Sequence, residues 1–143
     1  MHRQNYFSSF EKLFWHLSKQ MENLWKDIYS QTFPGSQSHI MFTLQKNGPQ
    51  KMSELADDLH ITAGAVTSAS NHLIKHGYII RIWDEQDRRI VRLDLTEKGS
   101  KTLTELQAEG QKIIKSVFHG ISDHDLKTLH TAFEKATNNI DNM

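Results

Sequence analysis

The 143-residue chain has no cysteine, only two prolines and no net charge, with 17 Lys plus Arg against 17 Asp plus Glu. Without cysteine there is no disulfide framework, thiolate zinc site, thiol nucleophile or cysteine redox switch. No apolar run approaches the ~20 residues that span a bilayer, and Met1 to Phe10 carries polar residues throughout in place of a signal-peptide core. No membrane partner is therefore expected, and the expected location is the cytoplasm. Enzyme signatures are missing as well: there is no G-x-S-x-G, P-loop or H-E-x-x-H, so no catalytic residue is assigned. Hydrophobic residues make up 37%, lean against the roughly 45 to 50% usual when Gly is counted. A lean core implies that a partner completes it. Neutrality taken alone argues against a nucleic-acid partner, yet a total says nothing about distribution.

What is present is a succession of periodic segments. Tyr6, Phe7, Phe10, Leu13, Phe14, Leu17, Met21, Leu24, Trp25 and Ile28 recur at threes and fours, which predicts one long amphipathic helix. Pro34-Gly35 breaks it, and Ser36 or Ser38 is placed to cap a short helix to Lys46 that buries Ile40, Met41 and Leu44. Asn47-Gly48-Pro49 stops that helix. Met52, Leu55, Ala56 and Leu59 mark a helix of two to three turns, His60-Ile61-Thr62 interrupts, and Val66, Ala69, Leu73 and Ile74 mark another, ending at Gly77. The period then changes to two: Tyr78, Ile80 and Ile82, then Val91, Leu93 and Leu95, flank a charged loop, as in a hairpin. Thr96-Glu97-Lys98-Gly99 opens a long helix with a packing seam. Ser122-Asp123-His124-Asp125 caps a last amphipathic helix through Leu126, Leu129, Phe133, Ala136 and Ile140. Terminal helices with little else to cover them suggest a dimer built from both ends.

Short helix, turn, helix and hairpin is the winged helix-turn-helix plan. The expected fold is mainly α with a small β-hairpin wing: a dimerisation helix at 1–32, a winged helix-turn-helix domain at 33–99, and C-terminal dimerisation helices at 100–143. A helix entering the major groove, about 12 Å wide, needs an outward face of small polar residues without carboxylates. The outward residues expected here are Thr62, Ala63, Gly64, Ala65, Thr67, Ser68, Ser70, Asn71 and His72, and no acid occurs in the 25 residues from Leu59 to Trp83. Double-stranded DNA carries one negative charge per ~1.7 Å of axis, so such a gap in a chain with 17 acids carries weight. The loop then supplies Arg88 and Arg89, with Arg81 and Arg92 on the strands, the densest cationic cluster of the chain. Thr67, Ser68, Asn71 and His72 are candidates for base edges or nearby phosphates, and Asn can pair with adenine.

From Leu55 through Gly99 the chain resembles the MarR family of bacterial transcriptional regulators. The specific feature is Asp87-Arg88-Arg89 followed by Leu93, Leu95 and Thr96, continued by Glu97-Lys98-Gly99; Leu55-Ala56, Val66-Thr67, Leu73 and Gly77 also fall in place. The resemblance implies a homodimer with interlocking terminal helices, bound to an inverted repeat of double-stranded DNA and acting as a repressor relieved by a small aromatic or phenolic effector. It places Arg89 in the minor groove, held by Asp87, with Arg88 on phosphate. The DNA-binding set is then Thr62, Gly64, Ala65, Thr67, Ser68, Asn71, His72, Lys75, Asp87, Arg88 and Arg89. Many members carry Lys or Arg in the first two turns of the recognition helix; this chain has none before Lys75, which implies more reliance on the wing.

The implied effector pocket would be lined by Phe10, Phe14, Trp15, Trp25, Tyr29, His39, Met41 and Phe42; the plainer reading of these residues is dimer core. Nine histidines invite a zinc-responsive alternative, with His39 approached by His16, His119, His124 or His130. Zinc needs three or four ligands, and His72 and His76, spaced by four, sit on the recognition helix; no metal or other cofactor is expected. The remaining alternative is a winged-helix module that binds protein instead of DNA.

Overall fold

The computed structural model describes residues 3–143. In chain order they form α1 (Arg3–Tyr29), α2 (Gln37–Asn47), β1 (Gln50–Lys51), α3 (Met52–Leu59), α4 (Ala63–Lys75), β2 (Ile79–Trp83), β3 (Val91–Leu95), α5 (Glu97–Val117) and α6 (Asp123–Asp141). The fold is mainly α with a small β wing, as the periodicities predict. The backbone divides into two compact units, one ending at Gly110 and one beginning at Gln111. Among the described residues no helix is long and apolar enough to cross a membrane.

In the first unit, the apolar positions read from the 3.6-residue period converge on one core. Ile40, Met41 and Leu44 of α2, Leu55 of α3, Val66 and Leu73 of α4, Leu93 of β3 and Leu103 of α5 are all buried, together with Tyr29 and Phe33. Burying a side chain of this size stabilises by about 1.5 to 3 kcal/mol, so the helix-turn-helix and the sheet are held by shared apolar contacts and not by local propensity.

The sheet has order β1-β3-β2 and is antiparallel throughout, with Ile79 opposite Leu95 and Trp83 opposite Val91. Two features depart from the sequence reading. Gln50 and Lys51 add a third strand against Leu93 and Arg92, too short to show a period. On β2 it is Ile79 that enters the core, while Ile80 and Ile82 are exposed. Ile79, Ile80 and Ile82 are apolar on both faces of the strand, so alternation alone leaves the phase open; packing against Leu73 and Leu93 in the shared core decides it.

The junctions explain the element boundaries. His60 ends α3 in the left-handed region at φ 54°, an uncommon conformation for a residue with a Cβ. The Ala65 N–H donates to Thr62 Oγ1 at 3.1 Å, capping α4 as expected. Ser36 occupies the capping position of α2 but its hydroxyl makes no cap hydrogen bond, and Ser38 lies buried inside the helix. After α4, Gly77 turns the chain at φ 78°. Thr96 then ties the start of α5 to that turn: its hydroxyl donates to the Gly77 carbonyl at 2.6 Å and accepts from the Gly99 N–H at 3.0 Å. Lys98 Nζ donates to the His76 carbonyl at 2.7 Å. A Cβ at position 99 would collide with the Tyr78 carbonyl, so only glycine lets α5 approach so closely.

In the second unit, Ser122 Oγ accepts from the Asp125 N–H at 3.1 Å and caps α6. No residue of α6 is buried.

Candidate nucleic-acid interface

Helix α4 presents two faces. Val66, Ala69, Ser70 and Leu73 are buried. Thr62, Gly64, Thr67, Ser68, Asn71, His72 and Lys75 are exposed, and Ala65 is half-buried. Ser70 is thus a correction: it points inward, because positions 66, 69, 70 and 73 form one helical stripe. The exposed face is small at its start, where a Cβ at Gly64 would meet only Thr62 Oγ1, at 4.0 Å. Thr67 donates its hydroxyl back to the Ala63 carbonyl at 3.0 Å, which fixes its rotamer and leaves its lone pairs outward. The His72 and His76 rings lie 4.3 Å apart, tilted by 49°. Asn71 is not free: Arg81 Nη2, from β2, donates to its Oδ1 at 2.9 Å.

The wing is built around two carboxylates. Asp84 accepts from the N–H groups of Gln86 and Asp87, at 3.1 and 2.9 Å, and from Arg92 Nη1 at 3.2 Å. This sets the turn in which the Asp84 N–H donates to the Ile90 carbonyl. Asp87 then takes Arg89 through two parallel bonds, Nε to Oδ1 and Nη2 to Oδ2, each 3.0 Å, and through the Arg89 N–H at 3.1 Å. The Arg89 guanidinium lowers the Asp87 pKa, and the Asp87 N–H is the main cause that lowers that of Asp84, so both are charged at neutral pH. Held in this way, the Arg89 side chain is still 90% exposed. A fork fixed at its base and open at its tip is suited to insertion in a narrow groove. Arg88 borders an open cleft at the wing tip with Trp83, Asp84 and Glu85. Sequence reasoning missed the roles of Asp84 and Arg81. Asp84 had a signal, an Asp two and three residues ahead of the N–H groups it accepts; the Arg81 contact, bridging helix and strand, had none.

The aromatic residues of the expected effector pocket fall into two separate groups. Trp25, Tyr29 and Phe42 meet with ring centroids 4.4 to 5.1 Å apart, joining α1 to α2, and burial raises the Tyr29 pKa. Nearer the start of α1, Phe14 lies against both Phe10 and Trp15, and all three are exposed. Met41 is fully buried in the core and His39 is exposed on α2. Among the described residues no three His, Asp or Glu side chains converge as a metal site.

The MarR family model matches residues 34–91, from the turn before α2 to the first residue of β3. YpoP of Bacillus subtilis, named as an uncharacterized HTH-type transcriptional regulator, is 30% identical over 117 residues, 82% of this chain and 83% of YpoP. The chain belongs to the MarR family. This MarR-family transcriptional regulator shares its fold with a MarR family protein from Bacillus stearothermophilus at a TM-score of 0.85 and 19% identity, covering 99% of both chains. It also matches Streptococcus pneumoniae FabT, whose structure is in complex with DNA, at a TM-score of 0.72 and 22% identity, over 96% of this chain and 98% of FabT.

Proposed function

We propose that this MarR-family regulator is a homodimeric, cytoplasmic repressor that binds an inverted repeat in double-stranded DNA and leaves it when a small aromatic or phenolic ligand binds. The observation that carries the reading is the acid-free exposed face of α4 beside a wing arginine oriented by Asp87. Small side chains at Gly64, Ala65 and Ser68 let the helix backbone approach base edges, and Thr62, Thr67 and His72 supply polar contacts. Arg89 enters the adjacent minor groove, where A·T-rich sequence concentrates negative potential. Asp87 fixes the guanidinium beforehand, so less rotamer freedom is lost on binding. FabT, of the same fold and seen with DNA, supports this use of the fold.

The homodimer is supported by apolar side chains that are exposed: Tyr6, Phe7, Phe10 and Leu13 on α1, and Leu126, Phe133 and Ile140 on α6. A second copy completes both faces, and two recognition helices then meet half-sites about 10 to 10.5 base pairs apart. The ligand acts on the Trp25–Tyr29–Phe42 cluster, because those rings couple the dimerisation helix α1 to α2 under the winged segment. It relieves repression only by binding the DNA-incompetent dimer more tightly.

The test is selection of a duplex from a random-sequence pool, then titration at several salt concentrations. The logarithm of affinity should fall linearly with that of salt, by about 0.9 for each phosphate neutralised. Arg89→Ala should weaken binding about tenfold, most on A·T-rich flanks. Binding that ignored salt, or a wild-type affinity for Arg89→Ala, would defeat this reading.

A further inference from the structure

Three arginines of the hairpin are each held by one side chain, and the holders differ in charge. Arg89 is held by the Asp87 carboxylate and Arg92 by the Asp84 carboxylate, at 3.0 and 3.2 Å. Arg81 is held by a neutral amide, its Nη2 donating to Asn71 Oδ1 at 2.9 Å. A carboxylate orients a guanidinium but sets a negative charge beside it; an amide orients it and adds no opposing charge. Nothing nearby compensates. Among the described residues neither Arg81 nor Lys75 is ion-paired. The residue opposite Arg81 on β3 is Leu93, and the α4 stripe it reaches, Thr67, Asn71 and Lys75, adds only a second cation. Asp84, the next acid along the chain, is committed to Arg92 and the wing turn.

We infer that Arg81, with Asn71 as its positioning residue, forms a phosphate-binding site at the edge of the recognition helix and takes one backbone phosphate of duplex DNA. The inference rests on the DNA-binding reading and supplies the anchor missing from the first turns of α4. One guanidinium N–H is engaged by Asn71, and the remaining donors can fork onto two phosphate oxygens. Lys75, one turn beyond Asn71, extends the same cationic track. Asn71 is accordingly a residue that aims Arg81: its acceptor oxygen is occupied, so bidentate pairing with adenine would first require that bond to break.

The experiment compares Asn71→Asp, Arg81→Gln and Asn71→Ala in the full chain, using a fluorescein-labelled duplex selected by the unsubstituted protein from a random pool. Asn71→Asp keeps an acceptor for Arg81 and sets a negative charge beside it that repels the phosphate. It should weaken binding about tenfold at low salt and flatten the salt slope by about 0.9 for each phosphate no longer neutralised, as Arg81→Gln does. Asn71→Ala leaves the charge but not its aim, so it should weaken binding only about threefold and keep the slope. Thermal melting of Asn71→Asp at or above that of the unsubstituted protein separates these effects from misfolding. Binding by Asn71→Asp and Arg81→Gln within about twofold of the unsubstituted protein, with an unchanged slope, would overturn the inference. So would an altered base preference in a selection repeated with Asn71→Ala, which would return Asn71 to base reading. If the unsubstituted protein itself selects no duplex, the DNA-binding reading and the inference fall together, an outcome distinct from a binding protein whose variants are unaffected.

Discussion

The winged segment and the terminal helices carry the same kind of amphipathic pattern and treat it in opposite ways. Among the described residues, every buried apolar side chain lies from Tyr29 to Leu103. Tyr6, Phe10 and Leu13 on α1, and Phe133 and Ile140 on α6, follow spacings just as regular and stay exposed, Ile140 at 68%. A helical period states which side chains share a face; it does not state what covers that face. The winged segment closes its core within the chain, whereas the helix ends leave theirs exposed, as the proposed dimer requires.

The sharpest way to break this comparison is to cut a cavity in the closed core. Leu73→Ala should lower stability by about 3 kcal/mol in urea unfolding, independent of protein concentration, because Leu73 is fully buried. A loss under 1 kcal/mol would mean that the segment is not closed on itself. Ile140→Ser should cost the isolated protomer little but weaken self-association by about 2 kcal/mol, roughly thirtyfold, measured by sedimentation equilibrium. An unchanged association constant would remove α6 from the interface.

A smaller effect sharpens the contrast within the winged segment between what folds it and what binds. A Cβ at Gly64 finds open space, so Gly64→Ala should raise stability by about 0.5 to 1 kcal/mol. The same methyl should reduce affinity for the selected duplex if the backbone meets DNA there; improvement in both would show that the glycine has no binding role. The smallest effect concerns the wing. Asp84 and Asp87 are held below their ordinary 3.8, Asp84 chiefly by the Asp87 N–H and Asp87 chiefly by Arg89. Groups depressed in the folded state stabilise it above the unfolded value and lose that contribution as pH falls through the lowered one. Wing order, followed by the Arg89 Cζ chemical shift in carbon-13 NMR, should therefore be constant from about pH 5 to 8 and change only below the ordinary value. A change of that shift near pH 6 would contradict the Asp87 clamp.

Much of the candidate interface was legible in the sequence because it depends on local signals. Thr62 as a cap, Gly77 as a left-handed stop and the hairpin around residues 84–90 are decided within a few residues of chain. The D-x-R spacing likewise places a carboxylate and a guanidinium in one turn, and they pair. The Trp25–Tyr29–Phe42 cluster was only partly legible, since the period puts Trp25 and Tyr29 on one face but cannot bring Phe42 across from α2. Met41, in the same stretch as Phe42, went to the core instead.

The sequence by itself determined the order of elements, the acid-free recognition helix and the wing clamp, because periodicity, turn residues and contacts two or three residues apart are local properties of the chain. Tertiary structure alone decided that Ile79 and not Ile80 faces the core, that Ser70 turns inward, that Gln50 and Lys51 extend the sheet, and that Asn71 is engaged by Arg81. Each of these depends on which distant segment occupies a given face, and that is settled only when the helices and strands pack against one another.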